Sequence, residues 1–312
     1  MVQYIVILLD DTSVSFCHYP NVKVRRHIMP IETLRAGVLY AMKENLNVQF
    51  VYPDYELPEE YDRLIDTIDH IKIKPTGFGD ADITVMDGLE KVKEVEIRDN
   101  MICALRLTKD EMFNARDIIK SVLEKALRLN IILTDIDTFR EDDFAKYKDL
   151  LAGLCEDVEQ MYINGKAPQL NILTDRMMLD EMNNCGAGDT CITLAPDGQF
   201  YVCPAFYGGK DGYAIGSLDN GLDIKNAQLY KLDHAPICRK CDAYQCRRCI
   251  WLNRKTTLEV NIPSHEQCVV AHIERNAARK LLLDIRTHGR FLPEMKEIEE
   301  IEYLDPFETI RQ

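Results

Sequence analysis

Residues 185–203 read CGAGDTCITLAPDGQFYVC, and residues 238–249 read CRKCDAYQCRRC. With Cys268 these stretches carry eight cysteines, spaced Cys185-x5-Cys191-x11-Cys203 and, after a gap of 34, Cys238-x2-Cys241-x4-Cys246-x2-Cys249-x18-Cys268. Eight thiols make two sets of four. Soft thiolate sulfur suits zinc and iron–sulfur clusters, because four thiolates close a tetrahedral or a cubane site. Two zinc ions and two [4Fe–4S] clusters both satisfy that chemistry, and the CxxC pairs taken alone lean toward zinc. Asp197-Gly198 is a tight-turn signal between two strand-like pieces, and it brings Cys191 and Cys203 together. Arg239, Lys240, Arg247, Arg248, Arg254 and Lys255 crowd the same region. Such cations favour anionic thiolate clusters and raise their potentials. A solvated basic face accounts for them equally well.

Outside this segment the chain is acidic. Its 312 residues hold 52 acidic and 38 basic side chains, a net charge of −14. That balance speaks against non-specific binding to nucleic acid or to an anionic membrane. No run approaches the ~20 apolar residues of a membrane span. Met1–Leu9 lacks a basic flank and runs into Asp10-Asp11, so a secretory signal is not expected and a cytoplasmic location is. In a reducing compartment a dense cysteine cluster reads as a metal site rather than a disulfide framework. Cys103, in the strand-like MICALRL, and Cys155, beside Leu154 and Val158, read as core. Cys17 reads by default as an inert thiol. None of the seven histidines has a ligand spacing of its own, although His265 and His272 lie where either would replace a missing thiol. No glycine-rich phosphate loop or GxSxG elbow is present.

The first 175 residues alternate between two periods. Strands are expected at Tyr4–Leu9, Val48–Tyr52, His70–Ile73, Ile83–Met86, Met101–Leu107, Ile131–Leu133 and Leu170–Leu173. Helices are expected at Ile31–Leu46, with Leu34, Val38, Leu39 and Met42 as its stripe, and at Pro58–Ile68. A further helix is opened by the capping box Thr108–Glu111 and carries Met112 to Ala126, and another covers Asp142–Tyr162. About six such units imply an α/β fold, a partial barrel or open parallel sheet covered by helices. Glu266–Ile285 reads as a closing helix, and Glu294 to Glu308 as an acidic tail.

The run from CGAG (185–188) through APDGQFYVC (195–203) and IGSL (215–218) to the last cysteines resembles the SPASM domain, the carboxy-terminal half of many radical SAM peptide-modifying enzymes. The resemblance covers about 90 residues. It implies interleaved ligation: Cys185, Cys191, Cys203 and Cys249 on one [4Fe–4S] cluster, Cys238, Cys241, Cys246 and Cys268 on the other. It also implies a radical-SAM-like partial (β/α)6 barrel upstream. There the family carries Cx3Cx2C after the first strand, and this chain has Cys17, Asn21 and Val24. A glycine-rich segment expected after the second strand is replaced by Tyr52-Pro53-Asp54-Tyr55. The whole resembles pseudo-radical-SAM proteins of the CXXX repeat peptide maturase type. That implies a degenerate barrel over 1–180, a SPASM-like iron–sulfur domain over 181–290 and an acidic tail over 291–312. It further implies a precursor peptide as substrate, a radical SAM maturase as partner, and no need for S-adenosylmethionine in this chain. A zinc-stabilised binding module is the alternative.

Overall fold

Tyr4–Leu8 (β1) is a continuous apolar run, the composition of a strand covered on both faces. Asn47–Val51 (β2), His70–Pro75 (β3), Ile83–Asp87 (β4), Ile102–Leu107 (β5), Arg128–Leu133 (β6) and Gln169–Leu170 (β7) follow it. Each pairs in parallel with the next. The computed structural model describes residues 1–209 and 213–298. Parallel neighbours need crossovers. These come from Ile31–Glu44 (α1), Glu59–Ile65 (α2), Leu89–Lys93 (α3), Lys109–Phe113 (α4), Arg116–Leu123 (α5) and Glu141–Ile163 (α6), while loop 76–82 joins β3 to β4. Two strands of the cysteine-rich segment extend the sheet. Cys191–Leu194 (β8) pairs in parallel with β1, Phe200–Tyr201 (β9) turns back antiparallel on β8, and the short helix Pro204–Gly208 (α8) follows. The order is β7-β6-β5-β4-β3-β2-β1-β8-β9. This is the expected α/β partial barrel followed by a cysteine-rich region.

Side chains alternate across the sheet with period two. Ile5, Ile7 and Leu9 pack with Val48 and Phe50 beneath Leu34, Val38, Tyr61 and Ile65, and Ile192, Leu194 and Phe200 join the same core. In the other half, Cys103, Leu105, Leu129 and Ile131 lie under Ile119, Val122, Tyr147, Leu151 and Leu154. The opposite face carries a smaller cluster of Val6, Leu8, Val51, Ile73, Val85 and Ala104. His265–Thr287 (α10) runs against α6, where the Tyr147 hydroxyl donates to Glu274 Oε1 at 2.8 Å.

Three local expectations change. In α1, Leu39 and Met42 are 59% and 55% exposed, and the buried face is Leu34, Gly37, Val38 and Ala41. The helix is turned because β8 packs on it: Leu194 occupies the space where Gly37 lacks a side chain. The helix expected from Thr108 to Ala126 is two helices, α4 and α5. Its capping box forms as read, and its apolar positions are all buried. The strand expected over Leu170–Leu173 is only β7, two residues long. Thr174 Oγ1 accepts from Leu170 N at 2.8 Å and donates to Leu170 O at 3.1 Å, turning the chain into Thr174–Met178 (α7). The acidic tail lies outside the described residues from 299 onward; before that, Ile298 is buried and its carbonyl accepts from Arg279 Nε at 3.0 Å. No helix among the described residues is long and apolar enough to cross a membrane.

Candidate metal centre

The loop after β1 folds over the end of the sheet, and Arg106 of β5 holds it there. Its Nε donates to Cys17 O at 2.9 Å, its Nη2 to Tyr19 O at 2.8 Å and its Nη1 to Asp87 Oδ2 at 2.7 Å. His18 lies 2.7 Å by Nδ1 from Leu133 O. A carbonyl only accepts, so Nδ1 carries the proton, and burial pushes the ring's pKa down toward the neutral form. Beneath this loop is a cavity of about 300 Å³. The sheet contributes Gln49, Ile73, Ala104 and Asn130 to its wall, the cysteine-rich segment Cys185, Cys203 and Cys249, and α10 Glu274. Burial, opposed by hydrogen bonds from Tyr147 and Gln245, pushes the Glu274 carboxyl up to about 7.

All eleven cysteines are free thiols. The eight of the carboxy-terminal segment fall into two neighbourhoods. Thr193 pairs with Tyr201, a register that sets Cys191 across from Cys203. Cys185 precedes β8 in a turn where Thr190 N and Cys191 N donate to Gly186 O at 2.8 and 2.9 Å. Cys249 caps Ile250–Thr257 (α9). Burial pushes the Cys191 and Cys249 thiols up to about 12, and the charge of Cys185 adds to both. Burial raises Cys203 well above its ordinary value, with Cys249 and then Cys185 adding to it. In the second neighbourhood burial raises Cys246 in the same way, and Cys238, Cys268 and Cys241 add to it. These four border one small cavity.

Backbone N–H groups point at several of these sulfurs. Ala243 N donates to Cys241 Sγ at 3.4 Å, and amides of Ala205, Arg248, Leu252 and Trp251 favour the thiolates of Cys203, Cys246 and Cys249. Donors of this kind stabilise sulfur that carries negative charge. His272 Nε2 lies 3.4 Å from Cys241 Sγ, and Asp242 offers an oxygen within the same group. Asp242 is already engaged by Arg275 in a buried ion pair.

Cys17, by default an inert thiol in the sequence, lies among the other cysteines. Its thiol belongs to the first neighbourhood: burial and then Cys185 push it up to about 12. Its position just after β1 was the available signal. The residues four and seven positions on are Asn21 and Val24. Asn21 Nδ2 braces the loop by donating to Asp11 O and Ser13 O at 2.8 and 3.0 Å, and Val24 is 89% exposed. Asp10 and Asp11 are also braces: Asp10 accepts from Tyr55 at 2.7 Å and from Thr12, and Asp11 accepts from Tyr207. Cys103 and Cys155 are core residues as expected. Glu274 and Arg106 had no sequence signal, since each sits singly among residues of an ordinary helix or strand.

No protein-family model and no curated protein matches the chain. Among solved structures it is similar to anSMEcpe with bound AdoMet, at 15% identity and a TM-score of 0.61, covering 91% of this chain and 96% of that one. The structure of native anSMEcpe with AdoMet and a Cp18Cys peptide aligns at 12% identity and a TM-score of 0.60, over 92% and 100% of the two chains. Streptococcus suis SuiB bound to the precursor peptide SuiA aligns at 11% identity over 86% and 76%, with a TM-score of 0.43, too low to argue from. The likeness is one of fold: a parallel α/β sheet covered by helices and followed by a cysteine-rich carboxy-terminal region.

Proposed function

We propose that this chain is an iron–sulfur protein of ribosomal peptide maturation. In this reading residues 181–290 hold two [4Fe–4S] clusters, one on Cys185, Cys191, Cys203 and Cys249, the other on Cys238, Cys241, Cys246 and Cys268. The cavity receives part of a precursor peptide, and a separate radical SAM maturase starts the radical chemistry. What supports the reading is that Cys238, Cys241, Cys246 and Cys268 border one small cavity while Cys185, Cys191, Cys203 and Cys249 lie near one another, within a fold shared with anSMEcpe, whose structure holds AdoMet and a peptide. The donor set fits such clusters in number, in softness and in the amides turned toward sulfur. A bound cluster supplies an electron relay or a holding point for a substrate thiolate. The chain's own part is to deprotonate and position the ligands. Buried thiols with raised pKa values release protons as metal binds, so loading is favoured as pH rises. Cys17 alone offers one thiol where an initiating cluster needs three, which supports leaving initiation to a partner.

The test is anaerobic purification with metal and sulfide analysis, a visible spectrum, and incubation with S-adenosylmethionine. The reading expects a brown protein with about eight iron per chain and no 5′-deoxyadenosine. Robust 5′-deoxyadenosine from the pure protein would overturn the division of labour. A second reading, zinc held without redox chemistry, is favoured by His272 beside Cys241. A colourless protein with about two zinc per chain selects it.

A further inference from the structure

Arg248 is 1% exposed and among the largest fully buried side chains. Its Nη2 donates to Tyr230 O, while its Nε and Nη1 are buried with no hydrogen-bond partner, and no carboxylate pairs with it among the described residues. A desolvated guanidinium with two orphaned donors is costly unless a negative group faces it. The backbone also bends to place it there, because Arg248 has φ +46°, in the left-handed region that a residue with a side chain seldom adopts. Its place explains both features. It stands between Cys246 of the second neighbourhood and Cys249 of the first, and it borders the main cavity and the small cysteine-lined one. Its charge favours the thiolate of Cys238. Of the basic residues crowding the segment, Arg239 and Lys240 are exposed, as a solvated face requires, but Arg248 is not.

Resting on the cluster reading above, we infer that Arg248 is the shared counter-charge of the two cysteine groups, its Nε–H and Nη1–H donating to cluster sulfur and holding both reduction potentials up. Four thiolates around an oxidised cubane leave a net charge of about −2 on each cluster, and reduction adds one more electron. A fixed cation between them favours that electron on either side. The competing explanation is a buried water linking Arg248 to the orphaned oxygens Gln245 Oε1 and Gln267 Oε1, which border the same cavity.

The test is a redox titration of the anaerobically reconstituted full chain, followed by electron paramagnetic resonance, for wild type, Arg248→Met and Arg248→Lys. Arg248→Met is expected to disfavour reduction of both clusters by about tenfold, which is 59 mV for a one-electron couple. Arg248→Lys is expected to stay close to wild type. Full iron content with unchanged potentials in Arg248→Met overturns the inference in favour of the water, and a shift confined to one cluster overturns the shared role. If Arg248→Met does not hold iron, the lysine variant decides: restored iron supports the charge, and an iron-free lysine variant overturns it. Failure of the cluster reading is recognised separately, because the wild type is then colourless.

Discussion

Glu274 is a carboxyl that folding makes harder to ionise. Burial pushes it from 4.5 to about 7, so between those values the folded chain keeps a proton that the unfolded chain has lost. Stability therefore falls as pH rises from about 4.5 to about 7 and is level above that. Glu274→Gln removes the slope and is expected to stabilise the metal-free protein at pH 8 by up to about 3 kcal/mol, with little gain at pH 4.5. Chemical denaturation at the two pH values checks this. Arg106 acts in the opposite sense. Its guanidinium is the tie between β5 and the Cys17 loop, and Arg106→Met is expected to cost about 3 kcal/mol and to speed amide exchange over residues 16–19. Neither residue was legible in the sequence, because a buried charge is defined by what surrounds it after folding. The cysteines were legible because thiol chemistry and spacing are properties of the chain itself.

At the level of elements, periodicity located β1 to β6 and the long helices, and Thr108 and Glu111 announced their capping box before any tertiary contact. What it missed follows from packing between distant segments. Spacing puts Leu39 and Met42 on the stripe of α1, yet Leu194, far along the chain, packs at Gly37 and both residues lie outside. Gly37→Leu is expected to push α1 off β8 and lower stability by about 2 kcal/mol despite the better helix propensity. Thermal unfolding against a Leu39→Ala control, exposed in the same helix, measures it. The short β7 failed as a four-residue strand because one threonine hydroxyl competes for Leu170, a contest that hydrophobicity does not register.

At the level of the molecule, the two halves are expected to depend on metal unequally. Much of 223–249 consists of turns and short 3-10 segments, whereas β8 and β9 share a core with β1 and α1. Cys203→Ala and Cys241→Ala are each expected to lose about one cluster, with protease sensitivity rising within 223–249 while helical circular dichroism persists. Full metal content in either variant would remove that cysteine from the ligand set, and Cys103→Ala and Cys155→Ala should keep wild-type iron. The pairing of β8 with β1 also sets a timetable. Tyr4 meets Cys191, so one edge of β1 waits for a partner made almost two hundred residues later. During synthesis that edge is an unpaired apolar strand, the kind of surface that recruits other nascent chains. A chain stopped at residue 180 is therefore expected to aggregate under conditions in which the full chain stays monodisperse by light scattering.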